Sequence, residues 1–415
     1  MAQVRAEVKT WVRRLQRLSV VFAADIRINI ITELFLREMS PKQFHEEFGG
    51  GSISRVDRHF KTLEKQGWLR FIRSETGGDR RGATEHFYRA TELAVFDNET
   101  WPRVPYSMRV AISWRTFKIL AERVRDALDA GTLDAREDSH LTWTTFRLDQ
   151  RGWERVLDAI DALFESIFEE QCDAKLRIFH SEERPMVATV ALVAFESPVP
   201  PAETCEQQGA PDLVPVDKES PVPFPLRVSK VFADELCVKI VAEANLREIS
   251  APQFHREYGG DSIKAIRRRF KKLEGDGWLR MVGRKTGGRR RGAHEHFYRA
   301  TGPAIFNNES WADVPESVKP GYSWTIFKLL ADLVKEALFA GTFEARLDSH
   351  LSWSVLRLDQ QGWVNVAAAV DSLFALIQVE KVRAEEHTEA TDEGVITTTV
   401  GLAAFESPSQ AAKEP

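Results

Sequence analysis

The chain has 415 residues, a net charge of −5, 43% hydrophobic residues and 29% charged residues. The length predicts two or more cores, the balance is that of an ordinary globular protein, and no apolar run approaches the roughly 20 residues of a bilayer span. The N-terminus, with Arg5, Lys9, Arg13, Arg14 and Arg17, lacks a signal-peptide core, and Cys172, Cys205 and Cys237 are too scattered for a disulfide framework or a paired-cysteine zinc site, so a reducing cytoplasm is expected.

The chain repeats itself at a constant offset of 210 residues. EHFYRAT at 85–91 returns unchanged at 295–301, and AFESP at 194–198 returns at 404–408. Ten of the eleven tryptophans pair at this offset, and only Trp11 has no counterpart. Units this long are two copies of a complete protein rather than a solenoid, which makes a dimer-like arrangement within one chain the natural expectation. The expected boundaries are 19–95 and 96–198 for the first unit, a linker at 199–228, then 229–305 and 306–408. Eight of the 28 residues from Pro198 to Pro225 are proline. As an extended spacer this linker reaches roughly 85 Å.

In chain order, Val20 to Arg37 has helical apolar spacing and predicts one buried helix. Ser40-Pro41-Lys42-Gln43 is a capping box opening a short helix that stops at Gly49-Gly50. Ser52 caps the next helix, whose apolar face is Ile53, Val56, Phe60 and Leu63, with Ser54, Arg55, Arg58, Lys61 and Lys65 away from it. In the second unit the apolar set is Ile263, Ile266, Phe270 and Leu273, and the outer faces carry Lys264, Arg267, Arg268, Arg269, Lys271 and Lys272. A short helix, a glycine turn and a helix with a basic outer face form the helix-turn-helix pattern. Two strands, Trp68 to Arg73 and Thr84 to Thr91, then flank a glycine-rich basic tip with Arg80 and Arg81, matched by Arg289, Arg290 and Arg291.

The run from SPKQF through RHFKTLEKQGW to RRG and EHFYRAT resembles ArsR-type winged-helix regulators of bacteria, particularly actinobacterial ones, over about 75 residues of each unit. The resemblance implies a dimeric DNA-binding repressor or activator with its third helix in the major groove and its wing on the backbone or minor groove. The third helix carries no cysteine pair, which departs from the metal-sensing members.

Charge is partitioned accordingly. Residues 52–91 carry +4, residues 262–301 carry +10, and the remainder carries −19. Counterion release at those positions would drive binding to duplex DNA. Ser54, Asp57, His59 and Asp79 are matched by Lys264, Arg267, Arg269 and Arg289, so the second unit is expected to bind more strongly and the two to read different half-sites.

In the second half of each unit, Trp101 to Pro105 is irregular and Trp114, Phe117, Leu120, Val124 and Leu128 mark an amphipathic helix ending at Gly131. Leu141 to Leu148 is a strand. Trp153, Leu157, Ile160, Phe164 and Ile167 form a coiled-coil-like seam, matched by Trp363, Ala367, Val370, Phe374 and Ile377. Met186 to Phe195 is a last strand. This half is expected to pack the units together. Trp114, His140 and Trp143, with Trp324, His350 and Trp353, are candidates for lining an effector pocket. Asp138-Ser139-His140 is no hydrolase triad, because consecutive strand residues cannot all meet and no nucleophile elbow is present.

The expected fold class is α+β, mostly α: two winged helix-turn-helix domains, each followed by an α/β dimerisation-type domain, in tandem. The expected partner is double-stranded DNA, bound by an intramolecular pseudo-dimer or a homodimer, with no catalytic residues, metal, cofactor or membrane. Arg58 and Arg268 are expected in the groove, and the arginines of the tips on phosphates. The rival expectations are a small-molecule-gated sensor and a protein-interaction scaffold.

Overall fold

The computed structural model describes residues 2–76, 84–96, 100–181, 185–198, 228, 230–286, 294–302, 311–388 and 395–408. The linker lies almost wholly outside these residues, as do the basic tips with Arg80, Arg81, Arg289, Arg290 and Arg291.

The first unit runs α1 (Ala2–Phe22), α2 (Asp25–Leu36), α3 (Pro41–Phe48), α4 (Ile53–Lys65), β1 (Leu69–Thr76), β2 (Thr84–Ala90), α5 (Tyr106–Asp129), β3 (His140–Leu148), α6 (Gln150–His180) and β4 (Met186–Glu196). From α2 onward the elements recur 210 residues later. The second unit contains α7 (Glu235–Leu246), a two-residue strand β5 (Ile249–Ser250), α8 (Ala251–Tyr258), α9 (Ile263–Gly275), β6 (Leu279–Thr286), β7 (His294–Ala300), α10 (Lys319–Ala340), β8 (His350–Leu358), α11 (Gln360–Thr388) and β9 (Ile396–Glu406). The chain is thus α+β, with long helices and small antiparallel sheets.

The units interlace through a four-stranded sheet ordered β3-β9-β4-β8, all neighbours antiparallel. Each unit's own two strands are separated by a strand of the other. At the centre, Leu192 pairs with Leu402, its own counterpart, while Val190 pairs with Ala404 and Ala194 with Val400. Such reciprocity is what a twofold, isologous contact produces. It recurs above the sheet, where Phe117 stacks on its counterpart Phe327 with centroids 6.2 Å apart.

Alternation along the strands divides the core into two layers. On one face Phe146, Leu148, Leu356 and Leu358 meet the seam of α6 and α11, where Trp153, Ile160, Ile167, Trp363, Val370 and Ile377 are buried. On the other, Ala191, Val193, Phe195, Ala403 and Phe405 meet Phe117, Val124, Phe327 and Val334 of α5 and α10.

Polar contacts across the interface follow the same twofold logic, with unequal chemistry. Arg109 of α5 donates from Nε to Glu344 Oε2 at 3.2 Å, Ser113 Oγ donates to Glu344 Oε1 at 2.5 Å, and the ion pair is buried at 8% and 1% side-chain exposure. Burial pushes the Glu344 carboxyl up, against the opposing pull of Ser113 and Arg109. At the matching place Ser323 donates to Asp134 at 2.7 Å, while the buried Lys319 reaches out to Glu316 at 2.6 Å.

Two sequence expectations are corrected. The single helix expected from Val20 to Arg37 is two, because Ala24 is extended (φ −150, ψ 130) and starts α2 afresh. The helix before this break, α1, reaches back to Ala2; its Leu18 and Val21 are buried, and Trp68 Nε1 donates to Arg17 O at 3.1 Å. The second correction concerns apolar length. Gln360–Ala384 of α11 is apolar enough by composition to cross a bilayer. Its buried side packs into the seam with α6, which accounts for that composition as a core helix.

Candidate nucleic-acid interface

Each unit carries a lobe of three helices and a β-ribbon. In the first lobe the capping box forms: Gln43 N donates to Ser40 Oγ at 3.1 Å and Ser40 N to Gln43 Oε1 at 3.4 Å. The Ser40 hydroxyl itself donates to Glu85 of β2, and Ser250 does the same to Glu295. These bonds tie the start of each short helix to its ribbon. After α3 the chain turns through Gly49 and Gly50 at φ +72 and +96. Gly50 lies so close to α2 that an added Cβ would collide with Ile26. The equivalent Gly260, at φ +83, would press on Leu236 Cδ2 at 3.0 Å.

That turn sets α4 across the lobe. Ser52 accepts from Arg55 N at 3.3 Å, and Val56, Phe60 and Leu63 are fully buried. Phe60 meets Phe44 and Tyr88 edge-on, at 5.9 and 5.7 Å. In the second lobe Ser262 caps α9, Ile266, Phe270 and Leu273 are buried, and Phe270 meets Phe254 and Tyr298 at 6.1 and 5.4 Å. Ile53 departs from the expected apolar face. It is 45% exposed, because the first helical turn projects beyond the core.

With the inner face fixed, the 3.6-residue period puts the cations outside. Ser54, Arg55, Arg58 and Lys61 are exposed on α4, and Lys264, Arg267, Arg268 and Lys271 on α9. Among the described residues Arg55, Arg58, Lys264, Arg267, Arg268 and Lys271 make no ion pair. Lys61 does, donating to Asp57 Oδ2 at 2.7 Å, and that bond raises its pKa. Arg269 is also occupied, holding Asp234 at the start of α7 at 2.7 Å and Asp261 of the turn at 2.8 Å. It braces α9 within the lobe. Its counterpart His59 instead accepts from Arg27 Nε at 3.1 Å, and burial together with the nearby Arg27 lowers the imidazole pKa.

The lobes are seated on both units at once. Ile119 of α5 and Trp353 of β8 join the first lobe's core, and Ile326 and Leu329 of α10 with Leu141 and Trp143 of β3 join the second's. Arg123 lies 4.7 Å over the Trp353 ring and pairs with Glu33 of α2 at 3.0 Å.

His140 and Trp143, expected to line one pocket, are not brought together, although Trp143 and Trp353 pack against the same core cluster. His140 and Trp143 stand on opposite faces of β3, as residues an odd number apart must. His140 Nε2 faces Asp371 of α11 at 3.2 Å, while Trp143 packs toward α10 and the second lobe. His350 meets Ser352 Oγ at 2.5 Å and the Phe164 ring at 5.3 Å, and Trp353 sits beneath the first lobe. Trp114 and Trp324 are 45% and 47% exposed. Among the described residues no group of three or more His, Cys, Asp or Glu side chains could hold a metal ion.

Sequence reasoning missed the roles of Arg27 and Arg269 in bracing the basic helices, and the Arg109–Glu344 pair across the interface. The Asp57–Lys61 pair was legible in its four-residue spacing. Comparison of the chain with protein-family profiles, curated proteins and solved structures finds no match.

Proposed function

We propose that the chain is a DNA-binding transcriptional regulator that engages one duplex with both lobes, as a pseudo-dimer within a single polypeptide. Each lobe is read as a winged helix-turn-helix module of ArsR type, with α4 or α9 entering the major groove and the ribbon lying along the backbone. The observation that carries the proposal is the outer face of α9, where Lys264, Arg267, Arg268 and Lys271 are exposed together and make no ion pair among the described residues. A solvated structural helix usually offsets such a row with carboxylates at i±4, as Asp57 does for Lys61. The reciprocal register of the interlaced sheet supports a twofold relation between α4 and α9, of the kind operator half-sites require.

The test is selection of bound duplexes from a random pool by the full chain, repeated at two salt concentrations. If Lys264 and Lys271 neutralise phosphates while Arg267 and Arg268 face the bases, log affinity falls with log salt at a slope of about −1.8 from these two lysines alone. A salt-insensitive or absent interaction with duplex DNA would instead favour a protein-contact role for the lobes.

A further inference from the structure

The basic helices of the two lobes share a frame but differ in chemistry at equivalent positions. Ser54, Asp57, Arg58 and Lys61 lie at spacings of three, four and seven along α4, one exposed strip; Lys264, Arg267, Arg268 and Lys271 form the same strip on α9. Both helices are capped by serine at the same distance, 3.3 Å from Ser52 Oγ to Arg55 N and from Ser262 Oγ to Ala265 N. Both are anchored by the same three buried positions. Side chains at matching positions therefore leave the two lobes at matching places, and their chemistry decides what each can contact.

At one place the chemistry inverts. Asp57 is half exposed and holds Lys61 at 2.7 Å, so that part of the strip is neutral overall. Its counterpart Arg267 is exposed, one turn from the exposed Lys271, and neither makes an ion pair among the described residues. A guanidinium in the major groove pairs with guanine through O6 and N7. A carboxylate there repels those acceptors and accepts from the N4 amino group of cytosine. Lys264 adds a further cation where the first lobe has Ser54.

We infer that the two lobes read different bases at equivalent steps of their half-sites, Arg267 a guanine and Asp57 the amino group of a cytosine, so the preferred duplex is non-palindromic. The inference rests on the proposed DNA-binding role. A homodimer would present two identical helices by symmetry. Here the sheet keeps its reciprocal register around Leu192 and Leu402 while the helices differ, so asymmetric recognition needs no loss of the twofold frame. The second lobe, with its additional cations, is the anchoring half.

The experiment is duplex selection with the full chain, comparing the unaltered protein with Asp57→Arg and Asp57→Asn. All three should show the same thermal unfolding, since Asp57 lies on an exposed strip. The unaltered protein is expected to select a site whose halves differ at the step facing these residues. Asp57→Arg should select guanine in both halves, with about tenfold preference over the original site. Asp57→Asn should lose the cytosine preference without gaining guanine. Selection of a palindrome by the unaltered protein, no sequence preference at all, or an unchanged site in Asp57→Arg would each overturn the inference while leaving DNA binding intact. No duplex bound by any of the three would overturn both.

Discussion

Replacing Arg109 with methionine is expected to destabilise the interlaced body by about 3–5 kcal/mol at neutral pH. The change removes the guanidinium but leaves the Glu344 carboxylate at 1% exposure, held among the described residues by Ser113 alone. A buried charge deprived of its partner costs that much, whereas replacing both members by apolar residues is often close to neutral. The double variant Arg109→Met/Glu344→Leu should therefore recover most of the loss, with a coupling of about 2 kcal/mol or more. The pH dependence follows from the direction of the Glu344 shift. Its carboxyl is raised by burial, so its contribution to stability is full below the ordinary glutamate range and is lost as pH rises through the folded value. Removing Arg109 raises the carboxyl further, so the penalty should shrink as pH falls toward 4. Urea unfolding followed by the fluorescence of Trp153 and Trp363, both fully buried in this body, provides the assay. Single losses below 1 kcal/mol that simply add would show that the units do not interlock through this pair.

Further outcomes can be measured on the same chain. Gly50→Ala should destabilise the first lobe by about 1–3 kcal/mol, because it combines a positive φ with a collision against Ile26; hydrogen exchange in α2–α4 reports it. Ser250→Ala removes both the cap of α8 and the hydroxyl bond to Glu295 and should cost about 1–2 kcal/mol in thermal unfolding. His350 is held down to about 4 by burial, so its contribution to stability is full above about 6.5 and is lost as pH falls toward 4, by at most about 3 kcal/mol. A His350→Phe variant should show a flatter stability profile over that interval. Arg268→Ala should relax the sequence preference of the second half-site and weaken binding more than Arg58→Ala, because the first lobe contributes less charge overall.

Much of this architecture was legible because local signals agreed with one another. The serine caps, the glycine turns and the 4-3 spacing of Val56, Phe60 and Leu63 specify the lobe helices and their inner faces twice over, although the capping box closes only in the first lobe, since Gln253 of the second donates to Glu257. The α6–α11 seam was legible from apolar spacing alone. The order β3-β9-β4-β8 was not, because strand periodicity shows which residues share a face and says nothing about which strand lies alongside. The grouping of His140 with Trp143 failed for a related reason. Proximity of His140 and Trp143 in sequence suggested one site, but the alternation of the strand sends them to opposite layers. Charge was legible as composition, while its availability was not. Arg269 and Lys61 are cationic in sequence and occupied in the fold; Arg267 and Arg268 are cationic and carry no ion pair among the described residues.

The most direct measurement is the stoichiometry and salt dependence of duplex binding by the full chain beside a variant with Lys264, Arg267, Arg268 and Lys271 all changed to alanine. One chain per duplex, with affinity falling steeply in salt for the unaltered protein and collapsing in the variant at unchanged folding, is the predicted result. Equal binding by both proteins, or none by either at low salt, would contradict the assignment of these helices to DNA.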